Sequence, residues 1–150
     1  MDEVRIEELD WCDLERVVAA RSLVVAAFEN ASRYGEERMA QEICEPTGPF
    51  YRKFFIASRD GQVLGVAGIK GADWASNTHI LYLLAVAKEF RGQDIARTLV
   101  RARLEWLLAN FSSGRVLVST AKPKRFRGLG FRIAAGSRKA GLWLMFRDLR

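Results

Sequence analysis

Histidine occurs once in the 150 residues and cysteine twice, and Cys12, Cys44 and His79 fall at no metal-ligand spacing. A structural zinc site is therefore excluded, and no metal is expected. Both cysteines read as reduced packing residues, because a reactive thiol needs a basic neighbour and Cys12 sits between Trp11 and Asp13. No apolar run approaches the about 20 residues that cross a bilayer. The most apolar stretch, residues 17–28, is interrupted by Arg21. The first ten residues are acidic, unlike a secretory signal, so a cytoplasmic setting away from membrane is expected. Prolines number three, and no repeat, low-complexity segment or linker divides the chain. Residues 1–150 are expected to form one domain with one substantial core.

What is present is an uneven charge. Residues 1–75 carry 9 Lys/Arg against 14 Asp/Glu, a balance of −5, whereas residues 76–150 carry 15 against 4, a balance of +11. A basic half suits an anionic ligand, either nucleic acid or a polyphosphorylated molecule, and an unevenly solvated surface is the plain alternative.

Residues 4–6 read as a first strand. Asp10 or Asp13 is placed to cap a helix running to about Asn30, and a weaker helix spans 34–44 until Glu45-Pro46 stops it. Residues 53–58 and 62–69 are strand-like runs separated by Asp60-Gly61, a two-residue hairpin signal. Residues 78–87 form a nearly continuous apolar strand, and 94–110 an amphipathic helix with Ile95, Leu99, Ala102 and Trp106 on one stripe. A strand over 115–120, a short helix from Pro123 to near Gly128 and a last strand over 141–147 complete the order. Such alternation predicts an α/β fold, a mixed sheet with helices on both sides.

Residues 83–100, LLAVAKEFRGQDIARTLV, carry the chemistry. A buried strand enters a charged turn and then directly a helix whose first amides have no internal partner. Gly92 lets backbone approach an anion there, and Arg91 and Arg97 bracket the turn with guanidinium groups suited to phosphate.

This stretch resembles the central motif of the GNAT acetyltransferases, Arg/Gln-x-x-Gly-x-Gly/Ala between a hydrophobic strand and a helix. Arg91, Ile95 and Ala96 stand where the motif wants them, with the extra Gly92 common after the arginine, and 128–131, GLGF, resembles the end of the family's Tyr-x-x-x-Gly-Phe segment. The resemblance implies a mostly antiparallel mixed sheet with splayed central strands and acetyl-CoA as co-substrate. It places the pyrophosphate on the amides of Arg91, Gly92, Gln93, Asp94, Ile95, Ala96 and Arg97. The pantetheine arm would pair with the backbone of Leu84 and Val86, the acetyl carbonyl would meet an amide near Val86, and an amine would attack the thioester directly. The basic run 122–132, with Lys124, is open to three readings: a clamp on the 3′-phosphate, an RNA contact or a solvated face. Only Phe126 and Phe131 offer stacking there, which argues against nucleic acid.

Three departures stand out. Asp94 occupies the place of the motif's first glycine; its carboxylate either opposes a pyrophosphate, weakening affinity, or serves as the helix N-cap. Phe126 stands where many members have a proton-donating tyrosine, and reads as core. Ile80 stands where some carry a glutamate base, which leaves His79 and Tyr82 as candidate catalytic residues, beside a water chain. The four tryptophans read as core or loop anchors, and Asp73-Trp74 as a border of the acceptor site. The first helices and the loop after the third strand shape the acceptor pocket in this family. Their acidic half would attract a cationic amine on a small molecule or protein. The alternative is a catalytically degenerate module that binds CoA, protein or nucleic acid, and the oligomeric state is open, a homodimer included.

Overall fold

The structure, a computed structural model, describes residues 3–150; residues 1 and 2, counted in the 1–150 unit, lie outside the described residues. One sheet of seven strands orders the chain as β1-β2-β3-β4-β5-β7-β6. Its strands are β1 (Arg5–Glu8), β2 (Arg52–Arg59), β3 (Gln62–Gly71), β4 (Thr78–Val86), β5 (Arg115–Thr120), β6 (Arg132–Ile133) and β7 (Trp143–Asp148). Every pairing is antiparallel except β4 with β5. Asp60 and Gly61 both take positive φ, 52° and 77°, the twist a two-residue hairpin needs to join β2 to β3.

Helix α1 (Leu14–Phe28) starts at Asp13, not Asp10, because the Asp13 carboxylate accepts from the Arg16 amide at 3.3 Å. It stops short of Asn30 because Glu29 turns left-handed, at φ 48°. Asn30 then caps a single turn, α2 (Ala31–Tyr34), which the sequence pattern did not reveal. Gly35 separates it from α3 (Glu36–Glu42), where a β-carbon would stand 2.5 Å from the Ala31 carbonyl oxygen. Helices α1 and α3 cover one face of the sheet through Val17, Ala20, Val24, Met39 and Ile43. Helix α4 (Ile95–Asn110) covers the other.

The buried arc of α4 is not the expected stripe. Ala102 and Trp106 are only partly buried, while Ile95, Leu99, Arg103 and Leu107 face the sheet with Val100 and Leu104. At about 100° per residue, that arc is centred near Arg103, roughly a quarter turn from the expected line. Cys12 is exposed and so is no packing residue, and Trp74 likewise stands in solvent, whereas Trp106 packs on Tyr51 and Phe111. No helix among the described residues is long and apolar enough to cross a membrane.

Candidate active site

Strands β4 and β5 pair only over residues 78–81 and 115–118. Beyond Leu81 the two diverge, and β4 carries a bulge. Tyr82 opposes Gly68 and Ala85 opposes Val66, so Leu83 and Leu84 face the single residue Ala67. Leu83 sits at the bulge with φ 52°, a conformation costly for a leucine and maintained by the packing around it. The Ala87 amide donates to Leu64 of β3 at 2.8 Å, so the strand's alternation turns the Val86 amide to the opposite edge, into the gap. Arg91 folds back to donate from Nε to the Val86 carbonyl at 3.2 Å on that same edge. Leu84 lines the gap.

A single 3₁₀ turn (Lys88–Phe90) leads from β4 to the turn before α4. Gly92 takes φ 81° with open space where a β-carbon would be, so glycine is required there by conformation, not by crowding. Asp94 precedes α4 but does not cap it. Its φ of 63° is left-handed, its carboxylate bonds no helix amide, and it leans 3.9 Å from Arg101 with 65% of the side chain exposed. The first amide of α4 with a backbone acceptor is that of Thr98, to the Asp94 carbonyl at 3.1 Å, which leaves the amides of Ile95, Ala96 and Arg97 facing outward. Arg97 ties this end to the following loop through the Arg127 carbonyl at 3.3 Å, Gln93 receives Arg59 at 3.4 Å, and Lys124 stands exposed in the 3₁₀ turn Pro123–Arg125. Because the Asp94 carboxylate is exposed and turned toward a cation, Asp94→Gly is expected to tighten CoA binding by only about 0.5–1 kcal/mol. Calorimetry that shows a tenfold gain or more would mean the acid opposes the ligand directly.

The gap opens into a cleft of about 480 Å³ between β4, β5 and the α1–α3 face, within the size range of small-molecule sites. Tyr82 lines it; burial, then the Glu42 carboxylate, raise its pKa, so it stays a hydroxyl. Lys70 lies over its ring at 4.4 Å. Glu42, the last residue of α3, lines the same wall with its carboxylate 3.2 Å from Lys70. Burial pushes that acid up, but Tyr82 and Lys70 together outweigh burial and hold it below the usual carboxylate range. Phe126 is buried edge-on to Phe131 at 5.3 Å, a packing role as its position implied. His79 is not brought into the cleft. It is buried against Phe111, its Nδ1 is 2.6 Å from the Tyr51 hydroxyl, and burial lowers its pKa, so the ring stays neutral. The loop with Asp73 and Trp74 borders a neighbouring hollow that shares Glu42, Lys70 and Ile80 with the cleft.

Sequence reading missed Glu42 and Arg103, which line the cleft together with Arg125 of the basic run 122–132. A charged residue at i+4 from Leu99 on the apolar side of α4 was a signal for Arg103; nothing local marked Glu42.

Comparison with known proteins agrees with this geometry. The family model described as "Acetyltransferase (GNAT) family" matches residues 6–131. N-acetylaspartate synthetase of Mus musculus is 31% identical over 121 residues, covering 78% of this chain and 39% of that protein. Its Danio rerio counterpart is 35% identical over 92 residues, covering 59% and 31%. The chain thus spans about two fifths or less of the length of these relatives. Among solved structures, Escherichia coli ElaA superposes with a TM-score of 0.75 at 16% identity, over 98% of this chain and 99% of that one. Escherichia coli YhbS in complex with CoA gives 0.74 at 22%, over 100% and 83%. Both likenesses are of fold. The family match runs from β1 through the splayed strand and the amide-lined turn to the loop before β6, and on that ground this chain belongs to the GNAT acetyltransferase family.

Proposed function

We propose that the chain transfers an acetyl group from acetyl-CoA to a primary amine by direct attack of the amine on the thioester. The carrying observation is the pairing of an amide-lined turn with an unpaired strand edge: free N–H groups at Ile95–Arg97 for a diphosphate, and the Val86 amide turned into the gap beside it. Gly92 and Arg97 shape the diphosphate turn, and the exposed Lys124 reaches for the 3′-phosphate. Arg91 braces the Val86 carbonyl, so the Val86 amide is held ready to stabilise the tetrahedral oxyanion.

The amine's lone pair forms the new C–N bond and the C–S bond breaks, releasing CoA thiolate. The amine's proton passes to Glu42, directly or through water, and the Tyr82 hydroxyl is the donor available to the departing sulfur. Phe126, in the loop after β5, has no proton to give. The relatives' name, a synthetase of N-acetylaspartate, supports an amine nucleophile. The cationic acceptor expected from the acidic half of the chain is replaced, because the cleft does not inherit that charge: Arg33, Arg38 and Lys70 from that half outnumber Glu42.

Titration calorimetry with acetyl-CoA tests the reading. The expected Kd lies in the range of about 1 µM–1 mM typical of substrates, and it weakens as salt is raised because the diphosphate is held by charge. Absence of heat at millimolar acetyl-CoA sinks the proposal. Binding without thiol release across an amine panel leaves a binding module in its place.

A further inference from the structure

The side chain that fits the fold least well is Arg103. It is 1% exposed on the sheet-facing arc of α4, yet it lines the cleft. Nη1 donates to the Gly68 carbonyl at 2.9 Å and Nε to the Leu99 carbonyl at 3.2 Å. Nη2 is buried with no partner, and no carboxylate among the described residues pairs with this guanidinium. A second guanidinium, Arg125, half-buried in the same lining, repels it in place of neutralising it. Burying an unpaired cation is strongly unfavourable, and a fold that keeps one facing a cavity holds a place for an anion.

Resting on the acetyl-transfer reading, we infer that Arg103 and Arg125 form the anion subsite of the acceptor pocket and that the acceptor is a small amino dicarboxylate. The anion is not the cofactor's diphosphate. Arg103 lies eight residues beyond Ile95 on α4, about 12 Å along the axis, and the pantetheine arm that would fill the splay is neutral. The rest of the lining agrees. Arg33 and Arg38 at the rim, Lys70 on the wall and Lys122 opposite add four cations to the pair, against the single carboxylate of Glu42. Six positive groups suit a dianion, and the one acid across the cleft suits its ammonium. Guanidinium forks also distinguish carboxylate from amide by charge and by paired hydrogen bonds. Burial, then Arg125, push the Arg103 pKa down to about 9, which still leaves it charged at neutral pH.

The test is calorimetry of L-aspartate and L-asparagine into the full chain, with and without saturating CoA. It compares wild type with Arg103→Met, Arg103→Lys and Arg125→Gln, and titrates CoA itself into each. Expected are at least tenfold tighter binding of L-aspartate than of L-asparagine and loss of that preference in Arg103→Met. Partial recovery in Arg103→Lys, a several-fold weakening in Arg125→Gln and CoA affinity within about twofold of wild type complete the expectation. Arg125→Gln alters a half-buried side chain and keeps the test valid should the buried Met variant melt early. Equal binding of the two amino acids, or a preference that survives both substitutions, overturns the subsite. So does a Met variant that loses CoA affinity alone, which would assign Arg103 to the cofactor. A chain that binds L-aspartate through Arg103 but no CoA would instead sink the acetyl-transfer reading and spare the subsite.

Discussion

Glu42→Gln is expected to lower kcat/KM for the amine by about 10²–10⁴-fold, the span usual for loss of a positioned general base. Glu42 is the single carboxylate of the cleft lining, where it faces Tyr82 and holds Lys70 at 3.2 Å. Glutamine keeps the shape but accepts no proton and leaves the Lys70 charge without its partner. The loss should fall on kcat more than on acetyl-CoA binding, because Glu42 is far along the chain from the amide-lined turn and on the opposite face of the sheet from α4. Steady-state kinetics decides it: activity within threefold of wild type removes Glu42 from the chemistry and leaves proton removal to water.

The same residue gives a stability signature. Its folded-state pKa lies below the ordinary carboxylate value, since Tyr82, Lys70 and Arg52 together outweigh the upward push of burial. A depressed carboxylate contributes stability above its unfolded value, and that contribution is lost as pH falls through the folded value. Wild type and Glu42→Gln should therefore differ in denaturant midpoint at neutral pH and converge as pH falls through the depressed folded-state pKa.

Leu99→Ala is expected to cost about 2–5 kcal/mol of unfolding free energy, the range for removing a buried leucine side chain. Leu99 is 0% exposed, and its Cδ1 would stand 3.1 Å from a β-carbon on Gly65, so α4 and β3 approach closely around it. A chain of this size loses roughly 2–4 °C in Tm per kcal/mol. Leu99 also sits one turn before Arg103, and loosening α4 there should weaken acceptor binding along with stability. A cost below about 1 kcal/mol would mean that this helix relaxes into the cavity and does not hold the cleft floor rigidly.

The elements of the sheet were largely legible because short apolar runs bounded by turn residues, and the Asp60-Gly61 turn among them, are local signals. The helix ends were less so. Asp13 against Asp10 was decided by which carboxylate reaches an amide, and α2 escaped notice because one turn contains too few residues to show a period. Strand β6 is only two residues long, and its existence depends on β7 lying beside it. At the turn, Arg91 to Asp94 precede α4 and Ile95 to Arg97 open it. Asp94 behaves differently from its residue type, because a left-handed backbone points its side chain toward Arg101 instead of the helix amides.

By itself the sequence determined the order of the longer strands and helices, the glycine turn into α4 and the family motif, all set by residues near one another in the chain. Tertiary structure decided which charges meet in the cleft. Glu42 comes from α3, Lys70 from β3, Arg103 from the buried side of α4 and Arg125 from the loop after β5. No local pattern encodes that meeting, and it reverses the sign expected from the acidic half of the chain. The reason is physical: period and propensity act over a few residues, whereas the field in a cleft sums over side chains brought together by packing.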